Sequence, residues 1–282
     1  MDLKEELMKL LQPGFIYDFE LIDLSRKIID NTYSIPRLFR FSNVDYYNIR
    51  GLETQSLFLS PIGTMNDVFE GLSCEITDKV IDGLDKISNL AYIKSFSEDR
   101  DNLLMWAHYA DNYSGMCVEY DFSGLDERLL YHLFPVVYSN VRNTSANLEY
   151  AIQEITKLKR ENENNNSVAG EDFYFLKDIL CLFLSKSSVW EYEKEWRIIA
   201  TYPQIFNEAE DMNDEEYEIL YKIYSQKISV KNCIKAVYLG PKMKEEFREH
   251  IKEICKDKLN GVRLYSSRLS AKEYKLEYKE IT

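Results

Sequence analysis

Alternating apolar and polar side chains predict a series of short β-strands along most of the chain. Neighbouring side chains of a strand point to opposite faces of a sheet, so a half-buried strand shows a period of two. This pattern, enriched in β-branched and aromatic residues and bounded by turn residues, predicts strands at residues 37–42, 56–61, 91–97, 116–122, 135–139, 195–202, 233–240, 262–267 and 274–281.

Apolar residues at helical spacing predict helices before and between these strands. Leucines repeat in this way over residues 3–11, and the Pro and Gly at 12–14 end that helix. Asp99 or Asp101 is placed to cap a helix that continues to residue 112. Further helices are predicted at residues 17–31, 43–51, 144–160, 171–186 and 242–259, and in a segment that ends near residue 225.

These elements predict a single α+β domain with a mixed or antiparallel sheet and flanking helices, because strands and helices interleave without regular βαβ spacing. Residues 1–35 form a predicted N-terminal helical extension, and residues 36–282 form the domain. The stretch 161–170 is polar, rich in Asn and without a large apolar residue to bury. We expect a mobile loop there, inside the domain, because strand patterning resumes after it.

The composition indicates a folded chain with an acidic balance. Hydrophobic residues make up 45% of the 282 residues, charged residues 29% and aromatic residues 13%, which excludes wholesale disorder. Lys and Arg number 35 and Asp and Glu number 48, so the net charge is −13. A generic binder of nucleic acid or of anionic membranes needs a basic face, and this balance argues against both.

Targeting and cysteine patterns favour a cytoplasmic protein. The chain opens without a signal-peptide pattern, and no apolar run approaches the roughly 20 residues that a membrane span needs. The five Cys include no CxxC pair, which predicts reduced thiols and no zinc site. Walker A, GxGxxG, HExxH and GxSxG motifs are absent from the sequence.

The first candidate site is the acidic stretch before the strand at 195–202. On an extended backbone, Glu193 and Glu195 project from the same face, with Arg197 next along it. Paired carboxylates at the entrance of a strand suit general-base catalysis or a hydrogen bond to a sugar hydroxyl. The alternative is a solvated acidic turn in which Arg197 forms a surface ion pair.

The loop after the strand at 56–61 is the second candidate, because binding groups often lie at the end of a strand. Asn66, Asp67 and Glu70 follow one another there. In the alternative interpretation, Asn66 or Asp67 caps the next helix and Glu70 completes a capping box.

The predicted helix that ends at residue 112 is the third candidate, since it contains Trp106 and His108. At about 100° per residue, Leu103, Trp106 and Ala110 form an apolar stripe, and His108 lies at its edge. His108 is therefore either a cleft residue or a boundary residue that is hydrogen-bonded to the backbone.

Arg40 is the fourth candidate, because it shares a strand face with Leu38 and Ser42. An Arg that alternates inward on a strand needs an anionic ligand or a carboxylate partner. The alternative to a ligand is a structural Glu.

Five blocks in the middle of the chain look specific when taken together: LFRFS (38–42), LFLSPIGTMNDVFEG (57–71), SFSEDRDNLLMWAHYADNYSGMCVEYD (95–121), VVYS (136–139) and KSSVWEYEKEWRII (186–199). They resemble a bacterial family of unknown function, domain-of-unknown-function family 2971. Val68 stands where that family usually has Pro. The resemblance implies no chemistry by itself.

The order of Arg40, Ser60 and the pair Glu193-x-Glu195 also resembles mono-ADP-ribosyltransferases, which place an Arg or His, a Ser and a Glu on successive strands. This resemblance implies that Arg40 clamps a phosphate or ribose hydroxyl of NAD. It implies that Ser60 holds the strand edge beside the nicotinamide ribose. It also implies that Glu195 stabilises the oxocarbenium-like state as nicotinamide leaves, with Glu193 as its helper.

The leading hypothesis is therefore an NAD-using, ADP-ribosyltransferase-like enzyme or NAD glycohydrolase in a toxin or phage-defence setting. Its expected ligand is a dinucleotide or nucleotide, and its target a macromolecule. We expect Asn66, Trp106 and His108 to bind the cofactor and to approach Glu195 on one concave surface.

Two other hypotheses stay open. The first is a nuclease or hydrolase that binds a divalent metal ion through Asp67, Glu70, Glu98 and His108. The second is a non-enzymatic sensor or interaction domain in which the acidic block at 190–197 is structural.

Overall fold

A computed structural model of the chain describes residues 35–67, 69, 70, 91–125, 133–141, 183–201 and 227–281. The loop predicted at 161–170 lies outside these residues, and so does the helical extension predicted at 1–35, apart from Ile35. The helices predicted at 144–160 and before residue 225 also lie outside them.

Each of the nine predicted strands is present in whole or in part, but Ser185–Ser187 form a strand where the sequence pattern predicts the end of the helix at 171–186. Their bounds are β1 (Leu38–Ser42), β2 (Ser56–Phe58), β3 (Ser60–Pro61), β4 (Ala91–Ser97), β5 (Met116–Tyr120), β6 (Leu133–Pro135), β7 (Val137–Ser139), β8 (Ser185–Ser187), β9 (Glu195–Thr201), β10 (Lys227–Ser229), β11 (Ile234–Leu239), β12 (Arg263–Leu269) and β13 (Leu276–Ile281). The strands predicted at 56–61 and 135–139 are each interrupted, and Pro61 and Pro135 end their short strands because Pro has no N–H to donate.

The large sheet has nine strands in the order β13-β12-β11-β5-β1-β4-β9-β6, and β3 pairs with β4 beside this path. β11 and β12 run parallel, whereas the other neighbours run antiparallel. Two small sheets pair β2 with β10 and β7 with β8. The predicted α+β domain with a mixed sheet is confirmed.

The α-helices whose bounds lie in the described part of the chain are α1 (Tyr46–Thr54), α2 (Leu103–Tyr109) and α3 (Glu245–Lys258), and short 3₁₀ helices span Ile62–Thr64, Phe122–Gly124 and Ser188–Glu193. The side chain of Asn102 caps α2 by accepting from the backbone N–H groups of Leu104 and Met105, so the prediction of an Asp99 or Asp101 cap is wrong. The helix also ends before residue 112, because residues 111–113 adopt positive φ angles of 46°, 52° and 72°.

None of the described helices is both long enough and apolar enough to cross a lipid bilayer.

Two clusters of buried side chains cover the sheet. The larger includes Leu38, Phe96 and Trp196 from the adjacent strands β1, β4 and β9. The smaller is centred on Trp106 of α2, whose ring meets Phe41 of β1 edge-on with 5.3 Å between ring centroids. This contact holds α2 against β1 and sets which of its side chains can reach the sheet.

One edge of β4 is shared by two strands. Ser97 pairs with Phe39 of β1, whereas Ile93 pairs with Ser60 of β3. Between these positions, residues 94–96 of β4 have no described pairing partner on that side, and we call this gap the fork. The other edge of β4 pairs continuously with β9.

The register decides which side chains share a face. Phe39, Ser97 and Glu195 lie opposite one another across β1, β4 and β9, so they project from the same face. Arg40 follows Phe39, and Lys94 lies an odd number of residues before Ser97, so both project from the other face. Arg40 and Glu195 are therefore on opposite faces of the sheet.

Gly115 joins α2 to β5 where the backbone is crowded. A Cβ atom at this position would lie 2.1 Å from the carbonyl oxygen of Ser42 and 2.9 Å from that of Ala110. A side chain there would displace the backbone that holds α2 beside β1.

We expect Gly115→Ala to lower the free energy of unfolding by about 3 kcal/mol, because rotation of a side chain cannot relieve a clash with backbone atoms. The control is Gly261→Ala, where an added Cβ meets nothing within 4 Å and only the φ of 77° is unfavourable. That control should lose about 1 kcal/mol. Urea denaturation measures both variants, and equal losses would contradict the crowding argument.

Candidate functional site

A cleft lies where β1, β4 and β9 meet the loop after β3 and the helix α2. Its volume is about 70 Å³. Its apolar lining comes from Phe39, Phe41, Met65, Phe96 and Met105. Its polar lining comes from Arg40, Asn66, Asp67, Glu70, Ser95, Ser97, Tyr109, Lys186, Glu193, Glu195 and Arg197.

Glu195 and Arg197 form a buried ion pair in this cleft. They lie two residues apart on β9 and share a face, as the sequence predicts. Arg197 Nε lies 2.7 Å from Glu195 Oε1, and Nη2 lies 2.9 Å from Oε2, which is a bidentate geometry. Glu195 is 3% exposed and Arg197 1% exposed, so the alternative of a solvated turn with a surface ion pair is wrong.

Two further contacts complete the surroundings of Arg197. Its Nη1 donates a hydrogen bond of 2.6 Å to the carbonyl oxygen of Phe183. Its Nη2 also contacts Glu70 Oε1. Glu70 thereby attaches the loop after β3 to the middle of β9.

Lys186 of β8 connects the two carboxylates of the predicted pair. Its Nζ lies 2.7 Å from Glu193 Oε2 and 3.2 Å from Glu195 Oε2. The two Glu side chains converge as predicted. The backbone between them is not extended, however, because Lys194 has a left-handed conformation with φ of 45°. The sequence reasoning missed Lys186, which lies inside the block at 186–199 but nine positions from Glu195.

Tyr109 is the second residue that the sequence reasoning missed. Its hydroxyl donates to Glu193 Oε1 and accepts from Asn66 Nδ2 at 3.3 Å. Met105 and Tyr109 are four positions apart on α2 and both line the cleft, as expected for one helical face. That spacing was the available signal for Tyr109.

Trp106 and His108, predicted to bind the cofactor, do not line the cleft. Trp106 is fully buried, and its Nε1 donates to the carbonyl oxygen of Arg100. His108 is exposed beside the rings of Tyr109 and Tyr192. The predicted convergence is therefore confirmed for Asn66 and Glu195 and wrong for these two residues, because the cleft faces the other side of α2.

Arg40 and Ser60 are placed differently from Glu195. Arg40 lines the cleft at the fork, but its side chain leaves the opposite face of the sheet and Nη1 donates to the carbonyl oxygen of Ser95 at 3.2 Å. Ser60 pairs with Ile93 and is not part of the lining, whereas Ser95 and Ser97 are.

The residues of the metal-dependent hypothesis do not gather in the described part of the structure. Glu98 accepts a hydrogen bond from Trp196 Nε1, and His108 is exposed. No group of three or more His, Cys, Asp or Glu with metal-site geometry occurs among the described residues.

The two carboxylates of the pair differ in their affinity for protons. Burial raises the pKa of Glu195, but Arg197 and Lys186 outweigh burial and hold that pKa at about 2. Burial and the charge of Glu195 raise the pKa of Glu193 above its ordinary value, against the opposing effect of Lys186. Glu195 is therefore ionised at neutral pH, and Glu193 takes up a proton more readily.

The ionic cluster around Glu193 and Glu195 contains more carboxylates than cations. Three carboxylates, Glu70, Glu193 and Glu195, contact two cations, Lys186 and Arg197. Burial weakens the screening of these charges by water. The surplus carboxylate favours either a bound proton or a ligand with a positive centre.

The family model described as "Protein of unknown function (DUF2971)" matches residues 105–198, about a third of the chain. The match begins within α2, ends within β9 and includes Tyr109, Lys186, Glu193 and Glu195. It supports the resemblance to that family over these residues. No curated protein and no solved structure matches the chain, and the resemblance to mono-ADP-ribosyltransferases finds no support in these comparisons.

We expect Glu195→Gln to lower the free energy of unfolding by about 3–5 kcal/mol, because it removes a charged partner from the buried Arg197. The control is Glu191→Gln, which changes an exposed Glu in the turn just before the pair. That control should stay within about 0.5 kcal/mol of the wild type. Urea denaturation at neutral pH measures both, and equal stability of the two variants would contradict the ion-pair argument.

The stability difference between the wild type and Glu195→Gln should depend on pH. The folded state lowers the pKa of Glu195 from 4.5 to about 2, so it is stabilised when Glu195 is ionised in both states. We expect the difference to shrink as the pH falls from about 4.5 towards 2. Denaturation curves over this range test it, and a difference that stays constant would contradict an ionised Glu195.

Proposed function

We propose that the cleft is the active site of an NAD-using enzyme that cleaves the bond between nicotinamide and ribose. The enzyme would pass ADP-ribose to a macromolecule or to water. One observation supports this most: two adjacent buried carboxylates, Glu193 and Glu195, are held at different proton affinities. Pairs of carboxylates whose surroundings separate their pKa values are typical of glycosidic bond cleavage.

The proposed step needs one ionised carboxylate and one that exchanges a proton. The C–N bond breaks, and its electron pair leaves with nicotinamide, which becomes neutral. The ionised Glu195 stabilises the positive charge that develops on the ribose. Glu193 accepts the proton of the water or acceptor hydroxyl as that oxygen attacks the ribose carbon.

Two further features of the cleft suit a ribose that carries positive charge. The surplus carboxylate of the cluster favours a cationic centre over a neutral one. Asp67 Oδ2 is buried and accepts no hydrogen bond from the residues that the structure describes. A ribose hydroxyl is a suitable donor to this oxygen, with Asn66 beside it.

The volume of the cleft limits how much of the ligand it encloses. About 70 Å³ is well below the roughly 300–1,000 Å³ of pockets that enclose a drug-sized ligand. The cleft would therefore take the reacting end of the dinucleotide. Because NAD is a cytoplasmic metabolite, the proposal places the enzyme in the cytoplasm, and consumption of NAD suits a toxin or phage-defence effector.

We expect Glu193→Gln to lose about a hundred- to a thousandfold in NAD turnover, as expected when one group that acts in the transition state is removed. Its melting temperature should change less than that of Glu195→Gln, since Lys186 keeps its second partner, Glu195. The control is Glu191→Gln, which should turn over NAD like the wild type. Nicotinamide release and a thermal melt are measured on the same preparations.

Two results would overturn the proposal. One is a wild-type protein that neither releases nicotinamide nor labels any protein with ADP-ribose. The other is a Glu193→Gln variant that retains full turnover.

The second candidate function is a sensor or interaction domain without catalysis. The buried, bidentate Glu195–Arg197 pair favours it, because such pairs also occur as purely structural elements. A protein of this kind would release no nicotinamide from NAD, either as the wild type or as Glu193→Gln.

A further inference from the structure

The strand β13 forms one edge of the large sheet, and β6 forms the other. β6 has three residues and ends at Pro135, which has no N–H to offer to a further strand. By contrast, β13 has six residues, contains no Pro and pairs with β12 along its whole length without a bulge. Among the described residues, no strand pairs with the other side of β13. Its outward N–H and C=O groups are therefore a template to which another strand can add.

Two charged side chains of β13 share one face and have opposite signs. Glu277 and Lys279 are two positions apart, so they project in the same direction. Glu277 Oε2 lies 2.8 Å from Nη2 of Arg268, the residue opposite it on β12. Lys279 is exposed and forms no ion pair with any residue that the structure describes. The charge of Lys279 is thus open to a carboxylate on the outer side of β13.

The sequence of β13 can supply that carboxylate itself. When a strand pairs antiparallel with its own copy about a two-fold axis, residues at equal distances from the central residue lie opposite each other. Only two central residues, Tyr278 and Lys279, pair five residues of β13 in each copy, namely 276–280 and 277–281. A centre at Lys279 places two Lys side chains opposite each other, which is destabilising. A centre at Tyr278 places Glu277 opposite Lys279 of the second copy, and this ion pair forms twice.

We propose that β13 pairs with β13 of a second copy of this chain, antiparallel and centred on Tyr278, so that the two large sheets become one. The inference goes beyond the proposed function and does not depend on it, because β13 contributes no residue to the cleft.

The two-fold axis also fixes how the copies face. Opposite residues of an antiparallel pair project from the same face, so Tyr278 of both copies lies on one side of the joined sheet. Tyr278 belongs to the cluster around Trp106 of α2. The helix α2 of each copy, and the cleft beside it, therefore open on the same side of the dimer.

The first test is sedimentation equilibrium of the wild type, Lys279→Glu and Glu277→Lys. An interface of two six-residue strands is small, so we expect a reversible dimer of the wild type. Each variant should associate about ten- to a hundredfold more weakly, because like charges replace both ion pairs. The control is Lys272→Glu, which makes the same charge change at an exposed residue outside the paired strand. A wild type that stays monomeric up to about 1 mM, or a Lys279→Glu variant with wild-type association, would overturn the proposal.

The second test mixes the two variants, and it separates the register from general effects of charge. Glu277→Lys has Lys at both positions, and Lys279→Glu has Glu at both, so a mixed dimer regains opposite charges at both pairs. Both variants remain acidic overall, which rules out attraction by net charge. Arg268, which loses its partner in Glu277→Lys, is 78% exposed, so that loss is small. The mixture should dimerise at concentrations at which each variant alone is monomeric. A mixture that stays monomeric there would contradict pairing about Tyr278.

The third test needs no variant and covers the case in which a substituted chain does not fold. A carbodiimide joins a carboxylate and an amine that are in contact, and mass spectrometry identifies the linked peptides. Equal amounts of unlabelled wild type and wild type labelled with heavy nitrogen distinguish links between copies from links within one chain. We expect a link of mixed label between Glu277 and Lys279. Dimers of mixed label that are linked only at other residues would show that a different surface pairs the copies.

Discussion

The guanidinium of Arg197 and the carboxylate of Glu195 lie side by side inside the domain, and the groups of the cleft are arranged around them. A buried charge is tolerated only where partners replace the water it loses. Arg197 meets Glu195, Glu70 and the carbonyl oxygen of Phe183, and Glu195 also meets Lys186. These partners come from β9, the loop after β3, the segment before β8, and β8 itself. The pair therefore joins segments that are far apart in the chain.

The Glu195–Arg197 ion pair also affects the proton affinity of the neighbouring Glu193. Lys186 and Arg197 keep Glu195 ionised, and the ionised Glu195 in turn raises the proton affinity of Glu193. Tyr109 completes the environment of Glu193 from α2, which Trp106 and Asn102 hold in place. The stability of the fold and the proton affinity of Glu193 thus depend on the same charges.

The two faces of the sheet carry different polar groups near the fork. On one face, carboxylates outnumber cations, and on the other, Arg40 and Lys94 each donate a hydrogen bond to a backbone carbonyl oxygen. Residues of both faces line the cleft, with Glu195 on one face and Phe96 on the other.

Local patterns in the sequence determined most of the strands and the α+β class. They also determined the shared face of Glu195 and Arg197, because side-chain direction along one strand depends only on the period of that strand. The sequence also marked Asn66 and Glu193. The tertiary structure alone decided that Lys186 lies between Glu193 and Glu195, and that Tyr109, and not Trp106 or His108, faces the cleft. It also placed Arg40 on the opposite face of the sheet from Glu195. The order and register of neighbouring strands arise from pairing between distant segments, which no local pattern encodes.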